Sequence, residues 1–175
     1  LHPVAHSFPT RRSSDLFEML LETLVTAGYE QYEISNFCLP GGESQHNSNY
    51  WRKEKYLGLG PGAHFYNGSS RQYNVSNNGL YLKALAQDEI PAELDELQPH
   101  DQANEYIMTG LRTKWGIDLK KIRQEFGFDL YKENYAYLHQ LQNEGKIRMQ
   151  GQQLILTNSG KLLADRIASD LFVVN

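Results

Sequence analysis

Residues 146–156 read KIRMQGQQLIL, two short apolar runs on either side of Gln150-Gly151, and this pattern predicts a β-hairpin. Thr157 follows as a helix-capping residue, and the apolar spacing after it predicts a last helix that ends near residue 172. Three helical patterns precede the hairpin, at residues 101–113, 118–126 and 130–144. Three helices followed by a hairpin predict a winged-helix-like α+β domain over residues 99–175.

The charge of this predicted domain bears on the usual role of a winged helix, which is DNA binding. Residues 101–175 hold ten Lys and Arg against nine Asp and Glu, a net charge of +1. The helix that would enter a DNA groove, at residues 130–144, carries Lys132 against Glu133 and Glu144. It lacks the basic stripe that nucleic-acid recognition needs. We therefore predict a structural or protein-contact role for the domain, and no nucleic-acid partner.

Upstream of this domain, an acidic segment at residues 88–98 predicts a linker and places the domain boundary before Pro99. A helix is expected near residues 80–87. Closer to the N-terminus, FEMLLETLVTA at residues 17–27 predicts a buried amphipathic helix that stops at Gly28, and residues 29–37 alternate as a strand. A helix, a glycine turn and a strand make the αβ half of a βαβ unit, so residues 17–98 are predicted to form an α/β region.

Composition limits the classes of protein to which the chain can belong. Its 175 residues carry a formal net charge of -4, 40% of them are hydrophobic, and no apolar run approaches the roughly 18 residues that a membrane span needs. We predict no transmembrane segment. The single cysteine, Cys38, excludes an internal disulfide and a cysteine-based metal site within this chain. A reducing, cytoplasmic location is expected, and no metal site is predicted.

The first sixteen residues, LHPVAHSFPTRRSSDL, show no apolar period of a strand or a helix and predict a disordered leader. They have neither the apolar stretch of a secretory signal nor the amphipathic helix of a mitochondrial transit peptide. Residues 6–16, HSFPTRRSSDL, read instead as one frame of a common sequencing adapter over all eleven positions. We therefore expect natural sequence to begin near Phe17 and residues 1–16 to be a non-native leader.

Polar side chains are concentrated between residues 30 and 66, where loops on strand ends often carry sites. His46 lies in a polar stretch predicted to be a loop, directly before Asn47 and four residues before Tyr50, so an imidazole and a phenol can reach one ligand. A loop histidine with a following aromatic residue can supply an axial nitrogen to haem iron. A solvated or backbone-bonded histidine is the alternative, and the residues by themselves favour it.

A second candidate is YLGLGPGAH at residues 56–64, which has a glycine at every second position from Gly58. Such a run lets the backbone approach a ligand and offers N–H groups to an anion, so we predict Gly58 and Gly60 as cofactor-binding residues. A tight strand with small residues packed under a helix explains the glycines equally well. No catalytic residue is predicted, because no nucleophile motif accompanies Glu33 and Glu43, and Cys38 has no cation close in sequence.

Three ordered blocks carry a family likeness. They are GYEQYEISNF at residues 28–37, ESQHNSNYWR at 43–52 and EKYLGLGPGAHFY at 54–66. Together they resemble the HemW haem chaperones, which are radical-SAM proteins related to oxygen-independent coproporphyrinogen III oxidase. The resemblance covers residues 17–175 and implies the distal part of a partial (β/α) barrel followed by the family's C-terminal domain. The chain is then expected to be a C-terminal fragment of a longer protein.

The resemblance also implies roles for particular residues. His46, Asn47 and Tyr50 match the family's HNxxY motif, for which haem binding is implied with His46 as the iron ligand. Tyr32 and Glu33 match a strand beside the substrate and S-adenosylmethionine cavity of the oxidases, and they are expected to face that cavity. The Cys-x3-Cys-x2-Cys loop of the family is absent from this chain. The [4Fe–4S] cluster and most S-adenosylmethionine contacts are therefore expected only in the parent protein.

The function implied by the resemblance is haem binding and transfer of haem to acceptor apoproteins. Coproporphyrinogen III oxidation is the alternative within the same family. The oxidases end the relevant strand in Met-Asp-His-Phe, whereas this chain has Ile34-Ser35-Asn36-Phe37. The sequence thus favours the haem chaperone, with haem and haem-accepting proteins as partners. Whether the parent protein is an enzyme stays open, and the chain itself, which lacks the cluster-binding cysteines, is expected to be inactive.

Overall fold

The structure, a computed structural model, describes residues 11–174. The elements before residue 98 are α1 (Arg11–Thr26), β1 (Glu30–Glu33), β2 (Asn36–Cys38), α2 (Gln45–Trp51), β3 (His64–Tyr66), β4 (Ser70–Asn74), α3 (Asn78–Leu85) and β5 (Ala92–Glu96). The later elements are α4 (Pro99–Leu111), β6 (Ile117–Asp118), α5 (Leu119–Lys121), a π-helix (Ile122–Phe126), α6 (Leu130–Glu133), α7 (Tyr135–Asn143), β7 (Ile147–Gln150), β8 (Gln153–Leu156), α8 (Asn158–Lys161) and α9 (Ala164–Asp170). The predicted mixed α/β class is confirmed.

The first helix begins earlier in the chain and is more exposed to solvent than predicted. It begins at Arg11, so the predicted disordered leader is wrong for residues 11–16; residues 1–10 lie outside the described part. Propagating a formed helix adds one hydrogen bond for each residue ordered, which favours this extension. The helix ends before Gly28 as predicted (φ 86°). Among its apolar side chains Leu21 is buried, whereas Met19 and Val25 are more than half exposed.

Residues 29–37 form a hairpin where a single strand was predicted. β1 and β2 pair antiparallel, with Glu30 opposite Cys38. The Glu33 carboxylate drives the reversal, because it accepts hydrogen bonds from the Ser35 N–H at 2.8 Å and the Asn36 side-chain amide at 2.6 Å. The prediction of one strand in a βαβ unit is therefore wrong, and the predicted barrel geometry of this region stays a prediction.

The acidic segment at residues 88–98, predicted to be a linker, contains a strand. β5 pairs antiparallel with β4, and β4 pairs with β3, to give a three-stranded sheet. Arg71 lies opposite Asp95 across the β4–β5 ladder. Opposite charges that face each other on adjacent strands stabilise the pairing, so the acidic side chains suit an outer strand.

The region after residue 99 encloses its own apolar core. Side chains from α4, the π-helix, α6, α7, α9 and the sheet β6–β8–β7 meet in one cluster. The largest fully buried members are Ile107, Leu111, Ile117, Ile122, Leu130, Leu138, Leu154, Ile167 and Leu171. The predicted hairpin is confirmed, with β7 paired to β8. The winged-helix-like assignment of this region stays a prediction.

The predicted helices of this region are present but interrupted. Residues 130–144 divide at Asn134, whose side-chain amide donates to the carbonyl of Leu130 at 3.2 Å and competes with the regular helix ladder. The predicted helix at 118–126 becomes α5 and the π-helix, which ends at Gly127. Thr157 caps α8 as predicted, accepting from the Gly160 N–H at 3.2 Å, and α9 follows after a break. Across residues 11–174, no helix has the length and apolar character to cross a membrane.

Candidate functional site

His46, Asn47 and Tyr50 lie on α2, a short helix where a loop was predicted. Ser44 caps it, because its hydroxyl accepts a hydrogen bond from the Asn47 N–H at 3.3 Å. The spacing of four residues places His46 and Tyr50 on one side of the helix, with ring centroids 5.0 Å apart and ring planes at 85°. Both side chains are exposed, so the imidazole is presented to solvent beside an aromatic ring.

An aromatic surface continues from this pair. We define it as His46, Tyr50 and Tyr56, the last two having ring centroids 4.8 Å apart. Burial raises the pKa of Tyr56, and neighbouring Tyr50 adds to the effect, so the phenol stays protonated at neutral pH. Leu57 and Leu59 follow in the chain with 70% and 81% exposure. Exposed rings beside an imidazole suit a flat, apolar ligand that carries a metal.

Tyr32 and Glu33 are buried and engaged with protein groups. The Tyr32 hydroxyl accepts from the Ser44 N–H at 3.4 Å, and its ring lies 5.7 Å from that of Trp51. The Glu33 carboxylate pairs with the Arg112 guanidinium at 3.1 Å in addition to its contacts within the hairpin turn. Both residues thus connect the β1–β2 hairpin to α2 and to the end of α4.

The glycine run forms a bent connection that needs two of its glycines for local reasons. A Cβ at Gly58 would overlap the backbone of His64, so any side chain there would force the two segments apart. Gly60 has φ 98° and open space around it. The Gly62 N–H donates to the carbonyl of Val75 at 3.1 Å and is not free for an anion. A role for Gly58 and Gly60 in binding a cofactor stays a prediction.

Ion pairs hold α2 against the C-terminal part of the chain, and sequence reasoning missed all of them. Directly after α2, Lys53 has φ 56° and donates to the carbonyl of Gln102 at 2.8 Å and to Glu105 at 3.1 Å. Burial lowers the pKa of Lys53, and Glu105 opposes that effect. Arg71 also pairs with Glu105. Partners about fifty residues apart leave no local pattern that could have shown them.

The residues present do not fit a [4Fe–4S] cluster. Cys38 is the only cysteine of the sequence, and it is buried. Within residues 11–174, no three His, Cys, Asp or Glu side chains are grouped so that they could hold a metal ion. Cluster ligation normally takes several cysteine thiolates. We therefore derive no chemical step through a cluster for this chain.

Residues 97–163 match the family described as the HemN C-terminal domain. The fold matches a solved structure described as coproporphyrinogen III oxidase (HemN) from Escherichia coli, a radical SAM enzyme, with a TM-score of 0.68 over 94% of this chain and 42% of that chain. Sequence identity with it is 17%, so this match shows the fold alone. The chain therefore shares the fold of a HemN protein, and its residues 97–163 match the C-terminal domain of that family.

Curated relatives identify the family more closely. The chain is 32% identical over 163 residues to the heme chaperone HemW of Bacillus subtilis, covering 93% of this chain and 43% of the relative. It is 33% identical over 156 residues to that of Lactococcus lactis, covering 89% and 41%. The Escherichia coli HemW is 52% identical over 50 residues, which is 29% of this chain and 13% of the relative. The predicted HemW family is confirmed, and the chain spans less than half the length of these relatives.

Proposed function

We propose that the chain is the haem-binding part of a haem chaperone, which takes up haem at the aromatic surface and passes it to acceptor apoproteins. Relatives that align over about nine-tenths of this chain carry the name heme chaperone. The observation that carries the proposal is the exposed His46 imidazole held edge to face against Tyr50 on a capped helix. We place the protein in the cytoplasm, as its family and single cysteine suggest.

His46 supplies the iron ligand in this proposal. A neutral imidazole nitrogen is a good donor to haem iron, and the ring beside it limits the rotation of the imidazole. Tyr50 and Tyr56 offer ring faces and edges to the porphyrin. Asn47 shares the helix and is half-buried next to the ligand residue. An exposed site suits a chaperone, because haem that must be handed on has to remain reachable by the acceptor.

In the parent protein, a [4Fe–4S] cluster and S-adenosylmethionine belong to the same proposal, held by residues outside this chain. Tyr32, Glu33, Gly58 and Gly60 are our candidates for the wall next to that cofactor. The polar atoms of Tyr32 and Glu33 already have protein partners, so their contribution would be shape and not a free hydrogen-bonding group.

The experiment is a haem titration followed by Soret absorbance, with the native chain beside His46→Ala and His64→Ala. His64 is a matched control, because it is also exposed and meets Tyr73 edge to face at 4.9 Å and 81°. We expect His46→Ala to weaken binding by about tenfold or more and to alter the Soret position, with His64→Ala close to native. Equal affinity of the native chain and His46→Ala would overturn the ligand assignment.

A further inference from the structure

The side of α2 that faces away from His46 and Tyr50 lines an open pocket. Its residues recur every three or four positions, as one face of a helix does: Gln45, Ser48, Asn49 and Arg52. The pocket has a volume of about 430 Å³, and its other walls are Gly41, Glu43, Lys114 and Trp115. It lies between α2 and the segment that follows α4. One helix thus separates two surfaces of different chemistry.

The unpaired hydroxyl of Ser48 is the first argument for a ligand in this pocket. The residue is only 3% exposed, and within residues 11–174 its hydroxyl has no hydrogen-bond partner. A buried hydroxyl left unpaired is costly, which is why such groups nearly always find a partner. A helical serine commonly bonds the carbonyl four residues back, but the Ser48 hydroxyl does not do so. Ser48 also lines the pocket, so a group bound there lies next to this unpaired hydroxyl.

Arg52 provides the charge. Its guanidinium carbon lies 4.8 Å from the centre of the Trp115 ring, so the cation rests on the aromatic face. In the described part of the chain no carboxylate lies within 4.0 Å of the guanidinium. Stacking holds the plane of the guanidinium and leaves its N–H groups for a planar acceptor. The ring therefore holds the guanidinium in place, and the nearby Glu43 carboxylate interacts with it without forming an ion pair.

The other charges at the pocket form a cluster around Lys114. Lys114 pairs with Glu43 at 2.7 Å and with Glu30 at 3.0 Å. These hydrogen bonds raise the pKa of Lys114, and the bond from Lys114 lowers the pKa of Glu43, so both stay charged at neutral pH. With Arg52 included, two cations stand against the two carboxylates Glu43 and Glu30, so the Arg52 guanidinium supplies a local positive charge and the cluster as a whole has no excess charge.

We propose that this pocket binds a carboxylate group, with the Arg52 guanidinium donating to its oxygens and the Ser48 hydroxyl donating a further hydrogen bond. Arg52 follows Ser48 by one helical turn, so both can reach one ligand. Guanidinium and carboxylate match in shape and charge, which makes two parallel hydrogen bonds possible. The inference goes beyond haem binding and does not depend on it, because no residue of the aromatic surface takes part.

The test uses sodium propionate as the probe and propionamide as its uncharged equivalent. The readout is the NMR shift of the Trp115 indole N–H and the Arg52 Nε–H in the native chain. We expect saturable shifts with propionate and none with propionamide. Arg52→Gln should weaken binding about tenfold or more, the usual worth of a hydrogen bond to a charged group. Arg123→Gln is the control, since Arg123 is exposed on another helix. Equal shifts with propionamide, or equal binding in both variants, would overturn the proposal.

Ser48→Ala gives an independent check. Removing an unpaired buried hydroxyl should leave the chain at least as resistant to urea, while propionate binding weakens several-fold. Unchanged binding would remove Ser48 from the site. Loss of urea resistance would show that the hydroxyl already has a structural partner and would overturn the argument from it.

The carboxylate can belong to a propionate of haem or to a separate small molecule, and esterification distinguishes them. Haem and haem dimethyl ester are titrated against the native chain and Arg52→Gln. If Arg52→Gln binds haem more weakly than the native chain does, but binds the dimethyl ester equally well, the pocket is assigned to a haem propionate. Unchanged haem affinity, with propionate shifts lost in the variant, assigns it to a separate carboxylate. Failure of native haem binding would contradict the proposed function only, because the propionate arm stands without haem.

Discussion

The two halves of the chain are stabilised in different ways. Residues 99–174 surround a shared apolar core in which Ile107, Leu111 and Leu154 are fully buried. Residues 11–98 bury few apolar side chains, and Leu59 and Ile90 are about four-fifths exposed. The predicted site residues all lie within residues 11–98. The helix that carries the candidate haem ligand therefore depends on contacts with residues 99–174 more than on an apolar core of its own half.

Hydrogen bonds and ion pairs make the attachment. The Ile34 N–H donates to the Arg112 carbonyl, and the Lys114 N–H donates to the Tyr32 carbonyl, both at 3.0 Å. The hairpin β1–β2 thereby pairs with the segment after α4. Charged side chains reinforce it through Arg112, which contacts both Glu33 and Asp165. Polar contacts therefore orient this part of the molecule, where a large apolar core is lacking.

The largest expected effect comes from the core of residues 99–174. Leu111→Ala should lower the free energy of unfolding by about 3 kcal/mol, because it leaves a cavity among fully buried side chains. Leu82→Ala makes the same change at a residue of α3 that is 65% exposed, and it should cost less than about 0.5 kcal/mol. Urea unfolding of both variants measures the difference. Equal losses of unfolding free energy in the two variants would show that the two halves do not differ in their apolar cores.

An intermediate loss of stability is expected where the hairpin β1–β2 contacts the segment after α4. Arg112→Gln leaves the buried Glu33 carboxylate without its cation and should cost about 2 kcal/mol, less than for a fully buried pair because Arg112 is partly exposed. Arg123→Gln, which removes an exposed arginine 3.8 Å from Asp129, should cost less than about 0.5 kcal/mol.

Amide hydrogen exchange locates the loss caused by Arg112→Gln. We expect faster exchange at residues 30–38 and unchanged protection in the core of residues 99–174. Uniformly faster exchange over the whole chain would show that the ion pair belongs to the core and would contradict the comparison.

The smallest effect is the pH dependence of the Lys114 contact. The pKa of Glu43 is lowered from 4.5, so its contribution to stability is present above pH 4.5 and is lost as the pH falls through the lowered value. The pKa of Lys114 is raised from 10.5, so its contribution is present below pH 10.5 and is lost as the pH rises further. The stability difference between native chain and Lys114→Gln should be constant between these limits and shrink outside them. Lys120→Gln controls for the loss of an exposed lysine. A stability difference that grows in acid would contradict the expected sign.

Local signals of the sequence predicted local structure well. The hairpin at residues 146–156, the cap at Thr157 and the helix stop at Gly28 are all present, because each depends on a few adjacent residues. Two predictions were wrong: the strand at residues 29–37 folds back on itself at a turn that Glu33 stabilises, and the supposed acidic linker pairs with β4, a partner outside that segment. At the site, the motif predicted that His46 and Tyr50 lie close together, but it did not predict the helix on which both residues lie.

By itself, the sequence determined the family and the candidate haem ligand, since motifs such as HNSNY are properties of adjacent residues. Tertiary structure alone decided that α2 has two faces of different chemistry, and that Lys53 and Lys114 tie the segments at its two ends to the C-terminal part of the chain. The physical reason is range. Capping, turns and helix periodicity act over a few residues, whereas an ion pair or a pocket depends on side chains brought together by the fold from positions fifty or more residues apart.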